Sequence, residues 1–180
     1  MAAEALTGAR RFLSRDPEGT EALGSALGRA LEPGAVLTLD GELGSGKTCF
    51  VRGLAHGLGV EGDVQSPTYA LMQSYPGRVE LFHFDAWMER RERAYLLDGG
   101  LEWMHAGGVS VIEWGSRVLE CLPRPLFALT FEHRGARERS IEIGVLDREG
   151  AGSPAARALE RVVRDLAVPT HVEELPASAR

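Results

Sequence analysis

Apolar positions recur with two different periods along this chain, and the changes from one to the other mark out its elements. In "TEALGSALGRAL", residues 20–31, Leu23, Leu27, Ala30 and Leu31 share one face of a 3.6-residue helix. Thr20 is placed as its N-cap, and Pro33-Gly34 stops it. The run "AVLTL" (35–39) is almost continuously apolar, the mark of a strand covered on both faces. After a glycine-rich stretch, residues 48–58 return to helical spacing through Phe50, Val51, Leu54 and Leu58, and Gly59 ends them.

The second half is richer in strands. "SPTYALMQSYPG" (66–77) combines a turn with a strand, and "RVELFHFDAW" (78–87) reads as a strand ending at Asp85. Residues 89–106 are helical in parts, and "GVSVIEWG" (108–115) is a buried strand ending at Glu113. "LFALTFEH" (126–133) and "RSIEIGVL" (139–146) flank the turn "RGARE" as an antiparallel hairpin. From Gly150 a flexible linker leads into a helix capped by Ser153 with Pro154 in its first turn. Leu159, Val162, Val163 and Leu166 give that helix an apolar stripe, and the last dozen residues, 169–180, read as frayed or disordered. The pattern predicts an α/β fold: a mainly parallel central sheet with an antiparallel hairpin and edge strands, and helices on both faces. It also predicts a division into a main domain, 1–149, and a C-terminal linker, helix and tail, 150–180.

Composition narrows the function classes. At 180 residues, with 44% hydrophobic and 26% charged positions, the chain suits one ordinary globular domain. A net charge of −6 argues against a wholesale nucleic-acid binder, so any RNA contact needs a local basic patch, for which Arg134, Arg137 and Arg139 are the candidates. Cys49 and Cys121 lack metal-ligand spacing and read as idle thiols in a reducing compartment. No signal-peptide core and no run of 18 apolar residues is present, so the expected location is the cytoplasm, without membrane contact.

The candidate chemistry centres on Lys47, the single lysine in a chain otherwise supplied with arginine. Gly41-Glu42-Leu43-Gly44-Ser45-Gly46-Lys47-Thr48 matches the P-loop pattern G-x-x-x-x-G-K-[ST] in full, with a strand before and an amphipathic helix after. The spacing has a physical reason. A chain leaving a strand must curl around a phosphate with its N–H groups pointing inward, and glycines clear the approach. The helix N-terminus adds partial positive charge. A compact ammonium on a thin stem fits over such a loop, whereas the planar fork of arginine is too broad. The Thr48 hydroxyl is placed to hold a magnesium ion shared with the phosphates of ATP or ADP. Asp85 and Glu113 are the candidate acids, each closing a strand, where ligands of open α/β sheets gather. "VSVIE" is the better Walker-B-like run. Thr68 is a candidate loop threonine for the metal or the γ-phosphate. Trp114 is expected near the nucleotide or in the core. Asp40 is expected to support the loop, and His83 to be packed or to orient a neighbour.

"GELGSGKTCFVRGLAHGLG", "VQSPTYALMQSY", "LFHFDAW" and "VIEWG" together resemble the bacterial P-loop ATPase subunit of the tRNA threonylcarbamoyladenosine system, over about residues 20–145. The resemblance implies an ATPase that works with a threonylcarbamoyl transferase and its inactive paralogue, and whose nucleotide cycle resets that complex. It implies Lys47, Asp85 and Glu113 as catalytic, and Gly41 to Thr48 with Thr68 and Trp114 around the nucleotide. Thr48, Glu113 and Asp85 would lie near magnesium. It further implies an arginine of the late hairpin near the nucleotide, with Arg137 the nearest match. The sequence departs from the family at Glu42, where Asp is usual, and at Met88, where a basic residue is usual. A small-molecule kinase and a nucleotide sensor without turnover are the alternatives, and direct tRNA contact is expected to be secondary.

Overall fold

The computed structural model describes residues 6–67, 70–88, 90–147 and 153–176. Strand β1 (Thr7–Ser14) leads into α1 (Pro17–Ala30), β2 (Val36–Gly41) and α2 (Lys47–Gly57). Then come β3 (Met72–Tyr75), β4 (Leu81–Asp85), α3 (Arg90–Leu97) and a 3₁₀ segment, Gly100–His105. Strand β5 (Val109–Glu113) and two short 3₁₀ turns precede the hairpin of β6 (Leu126–His133) and β7 (Arg139–Leu146). Helix α4 (Pro154–Arg164) and β8 (Val172–Leu175) close the described chain.

All eight strands join one sheet, in the order β3-β4-β5-β2-β6-β7-β1-β8. The four strands β4, β5, β2 and β6 pair in parallel, and the outer pairs are antiparallel. Burial follows the period-two rule of a sheet covered on both sides. Leu37, Leu39, Val109, Val111, Phe127 and Leu129 join one core with α1, α2 and α4. Val36, Ile112, Leu126 and Ala128 join the other, with Leu96 of α3 and Met104 of the 3₁₀ segment. The mainly parallel α/β fold and the 126–146 hairpin therefore stand as the pattern predicts.

Register sets the site. Leu39 of β2 is level with Glu113 of β5, and Glu113 is level with Asp85 of β4. Glu113 and Asp85 thus close β5 and β4 at one height beside the glycine-rich loop, and β2 runs two residues further, to Gly41. Helix α2 is fixed there by its contact with α1, which uses glycines. A Cβ on Gly24 would lie 2.2 Å from the Phe50 carbonyl oxygen, and one on Gly53 1.9 Å from that of Glu21. Gly28 and Gly57 make the same kind of approach one turn on, so the two helix backbones touch directly.

Three details differ from the sequence pattern. Thr20 lies inside α1; the cap is Asp16, whose carboxylate accepts from the Gly19 N–H at 2.7 Å, with Pro17 in the first turn. Thr20 is instead buried against the Ser14 hydroxyl at 2.8 Å. Strand β1 is hidden in the sequence by Arg10 and Arg11, because only Phe12 is a buried large apolar side chain there. The expectation of a frayed end is corrected over Val172–Leu175, which pairs antiparallel with β1. Its two glutamates obscure the strand pattern because they face arginines: Glu173 pairs with Arg15 and Glu174 with Arg10, each at 2.7 Å. Arg10 also donates through Nη1 to the carbonyls of Val163, Arg164 and Leu166 at the end of α4.

The helix contact yields a stability test. Gly53→Ala should cost about 2 kcal/mol or more, because backbone rather than a movable side chain blocks the new methyl. Gly135→Ala, where the nearest atom is a flexible Glu138 carboxylate oxygen at 3.3 Å, should stay within about 0.5 kcal/mol. Equal midpoints for the two variants in chemical denaturation would refute the close helix approach.

Candidate functional site

Between β2 and α2 the backbone turns through Gly44 (φ 75°) and Gly46 (φ 102°), a left-handed region where other residues are strained. Gly46 is the N-cap of α2 and supplies no side-chain cap, so the first N–H groups of the helix face outward from its end. Glu42 and Leu43 form the tip of the loop, and Leu43 is exposed. Ser45 is buried, and its hydroxyl has no hydrogen-bond partner among the described residues. Such a turn suits an anion held by backbone N–H groups.

Lys47 is only 5% exposed despite its charge. Its ammonium donates to the carbonyls of Gly41 at 2.7 Å and Glu42 at 3.0 Å, and lies 3.7 Å from the centre of the Trp114 ring. Burial lowers its pKa, while the charges of Glu113, Asp40 and Asp85 oppose that shift. The stem therefore curls back over the loop, as the sequence argument for lysine over arginine requires.

Glu113 stands beside it at the end of β5. Its Oε1 accepts from the Thr48 hydroxyl at 2.8 Å and lies 3.1 Å from Nε2 of the buried His83. His83 is thus an orienting neighbour of the acid, and Nε2 must carry the proton to donate to it. Asp85, at the end of β4, accepts from the Ser66 hydroxyl at 3.1 Å and from the Trp87 N–H at 2.9 Å. Asp40 does support the loop region: its carboxylate accepts from the Ser116 N–H at 3.0 Å and hydroxyl at 2.6 Å. That bond ties the turn after β5 to the end of β2.

Lys47, Thr48, Asp85 and Glu113 line one cleft of about 580 Å³, with Leu43 and Trp114 also in its walls. Another cavity, about 410 Å³ between α4 and the opposite ends of β2 and β6, has mostly apolar walls and lies away from the strand-end acids. The first is the candidate site. Among the described residues no three His, Cys, Asp or Glu side chains converge as a metal cage. The oxygen set of Thr48 and Glu113, with Asp85 in the same cleft, instead suits a magnesium ion that completes its shell with phosphate oxygens and water.

Two expected residues stand elsewhere, or outside the described chain. Arg137 is exposed and pairs with Glu18 at 3.3 Å, away from the cleft lining. Arg139 is the arginine of the hairpin that reaches the loop: its Nη2 donates to the Gly44 carbonyl at 3.2 Å. Strand register puts it there: Arg139 opens β7 opposite His133, at the same end of the sheet as the loop. Thr68 lies outside the described residues. Cys49 lines the cleft, but burial and the Glu21 charge push its thiol up to about 11, which keeps it protonated and unreactive at neutral pH.

Comparison with known proteins identifies the family. The family model described as threonylcarbamoyl adenosine biosynthesis protein TsaE matches residues 14–141. A tRNA threonylcarbamoyladenosine biosynthesis protein TsaE from Treponema pallidum is 40% identical over 135 residues, covering 75% of this chain and 98% of that protein. The protein of the same name from Bacillus subtilis is 38% identical, covering 70% of this chain and 79% of its own. The crystal structure of Bacillus subtilis YdiB superposes with a TM-score of 0.71 at 28% identity, covering 91% of this chain and 99% of that one. Glycine-rich loop, strand-end acids and overall likeness lead to one conclusion: this chain belongs to the TsaE family of tRNA threonylcarbamoyladenosine biosynthesis.

Proposed function

We propose that this chain binds ATP and ADP with magnesium at the 41–48 loop, hydrolyses ATP slowly, and acts as a nucleotide-driven switch in the tRNA-modifying machinery. The observation that carries this reading is the Thr48–Glu113 hydrogen bond, 2.8 Å long, set beside a buried lysine at the mouth of a glycine turn. A hydroxyl and a carboxylate held together at that place are the protein's share of a magnesium shell. Bound magnesium would supply charge neutralisation for the β- and γ-phosphates.

The chain's own residues divide the remaining work. The glycine turn and the start of α2 offer N–H groups to phosphate oxygens. Lys47 places a point charge over the loop. His83 fixes the orientation of Glu113, so that the carboxylate presents a defined face to the cleft. Asp85, braced by Ser66 and the Trp87 amide, is placed to orient a water. Ser66 stands in the segment that leads to Pro67, so Asp85 also links that segment to the nucleotide state. Arg139 braces the loop at Gly44, so the late-hairpin role moves from Arg137 to Arg139.

The names of the relatives place them in tRNA threonylcarbamoyladenosine biosynthesis. For this chain we extend that to a cytoplasmic complex with the threonylcarbamoyl transferase and its inactive paralogue. Contact with tRNA is secondary, in keeping with the net charge of −6.

Isolated protein should turn over ATP slowly and be stimulated by the partner pair, with repeated rounds of adenosine modification requiring ATP. Fast hydrolysis that the partners leave unchanged would sink the switch. Lys47→Ala should weaken ADP binding roughly 10- to 100-fold, since it removes a charge-assisted contact. Lys47→Arg should lose nearly as much, and tight binding by the arginine variant in calorimetry would break the geometric argument. Glu113→Ala should slow hydrolysis roughly 100-fold while nucleotide still binds. Wild-type turnover by both Glu113→Ala and Asp85→Ala would remove the role assigned to these acids and leave a nucleotide sensor.

A further inference from the structure

Trp114 occupies a backbone conformation that a bulky residue avoids, with φ 59° and ψ 33°. Such a conformation persists only where its surroundings hold it. Part of the hold is in the main chain: the Trp114 N–H donates to the Leu39 carbonyl at 2.8 Å, and Asp40 grips Ser116 two residues on. Those contacts fix the turn but leave the indole to its own neighbours. Around the ring stand Lys47 at 3.7 Å from its centre, Trp87 at 4.8 Å and 61°, and the Arg117 guanidinium at 5.2 Å.

Arg117 ties this group together. Its guanidinium carbon is 4.8 Å from the Trp87 ring, and Nη1 donates to the Trp87 carbonyl at 2.6 Å. Trp87 follows β4 and Arg117 follows β5, so the contact joins the turns beyond two neighbouring strands. Trp87 is 42% exposed, so burial alone does not set the place of its ring. Two cations beside one indole repel each other, and Glu113, Asp40 and Asp85 supply the opposing charge around Lys47.

We infer that Arg117 is a positioning residue for Lys47: it holds Trp87 against Trp114 and so keeps the Trp114 face seated on the lysine ammonium. A lysine on a four-carbon stem loses much rotamer freedom when it is fixed. Fixing it before a ligand arrives leaves less ordering to be done on binding. The consequence for affinity rests on the nucleotide reading given above; the clamp itself does not.

The test combines circular dichroism with calorimetric titration of Mg-ADP. Two indoles this close couple and give an exciton couplet. Wild-type protein should show it, and Trp87→Phe should remove it, which assigns the signal. Arg117→Met should weaken the couplet and lower Mg-ADP affinity about fivefold, the scale of a cation–π contact of moderate exposure. Arg117→Lys, which keeps the charge but not the planar fork, should fall between the two. An unchanged couplet in Arg117→Met overturns the clamp, and a lost couplet with unaltered affinity in protein that binds Mg-ADP overturns its positioning of Lys47. If wild-type protein fails to bind Mg-ADP while the couplet responds as stated, the nucleotide reading falls and the clamp stands.

Discussion

Glu113 carries a carboxylate that is 3% exposed, and the rest of the site is arranged around keeping it satisfied. An acid so far from water is strongly unfavourable unless its oxygens are bonded. Here the Thr48 hydroxyl and the His83 ring meet the same oxygen, Oε1. Each partner comes from a different neighbour: Thr48 from the helix after β2, His83 from β4. The one hydrogen-bonded group therefore locks three elements to a common height. The parallel register of β2, β5 and β4 makes this possible, because it sets Leu39, Glu113 and Asp85 level with one another. Removing either partner would leave this buried oxygen with one bond fewer, and the expected damage reaches the cleft as well as the fold.

The helix that presents Thr48 must hold its place for this to work. Four glycines bring the backbones of α1 and α2 into direct contact, which leaves little room for sliding. Beyond the family match, the C-terminal part packs on the same sheet. Arg10 spans β1, the end of α4 and β8, joining carbonyls of the helix to a carboxylate of the strand. The antiparallel edge far from the acids thus serves as a frame, while the parallel centre carries the candidate site.

Much of this was legible from residues. The glycine-rich octapeptide, the strand ending at Glu113, the strand ending at Asp85 and the late hairpin all announce themselves by spacing. What escaped was set by partners distant in sequence. Strand β1 is masked because Arg10 and Arg11 find their counter-charges about 160 and 130 residues away, at Glu174 and Glu142 respectively. Strand β8 is masked likewise by Glu173 and Glu174, whose partners are Arg15 and Arg10. The choice between Arg137 and Arg139 depends on which hairpin residue is level with the loop, and only the strand register decides it. The glycines of α1 read as weak helix formers in isolation; their use is visible only against α2. The left-handed Trp114 likewise has no signature in composition, since its conformation is imposed by the turn it opens.

Thr48 and Glu113 are proposed as the protein's part of a magnesium site shared with nucleotide. The decisive measurement is ADP affinity by calorimetry, with and without magnesium, in wild-type protein and in Thr48→Ala. Magnesium should tighten binding to wild-type protein roughly tenfold or more, and that gain should vanish in the variant. Equal affinities with and without the ion in wild-type protein, or a full magnesium gain in Thr48→Ala, would contradict it.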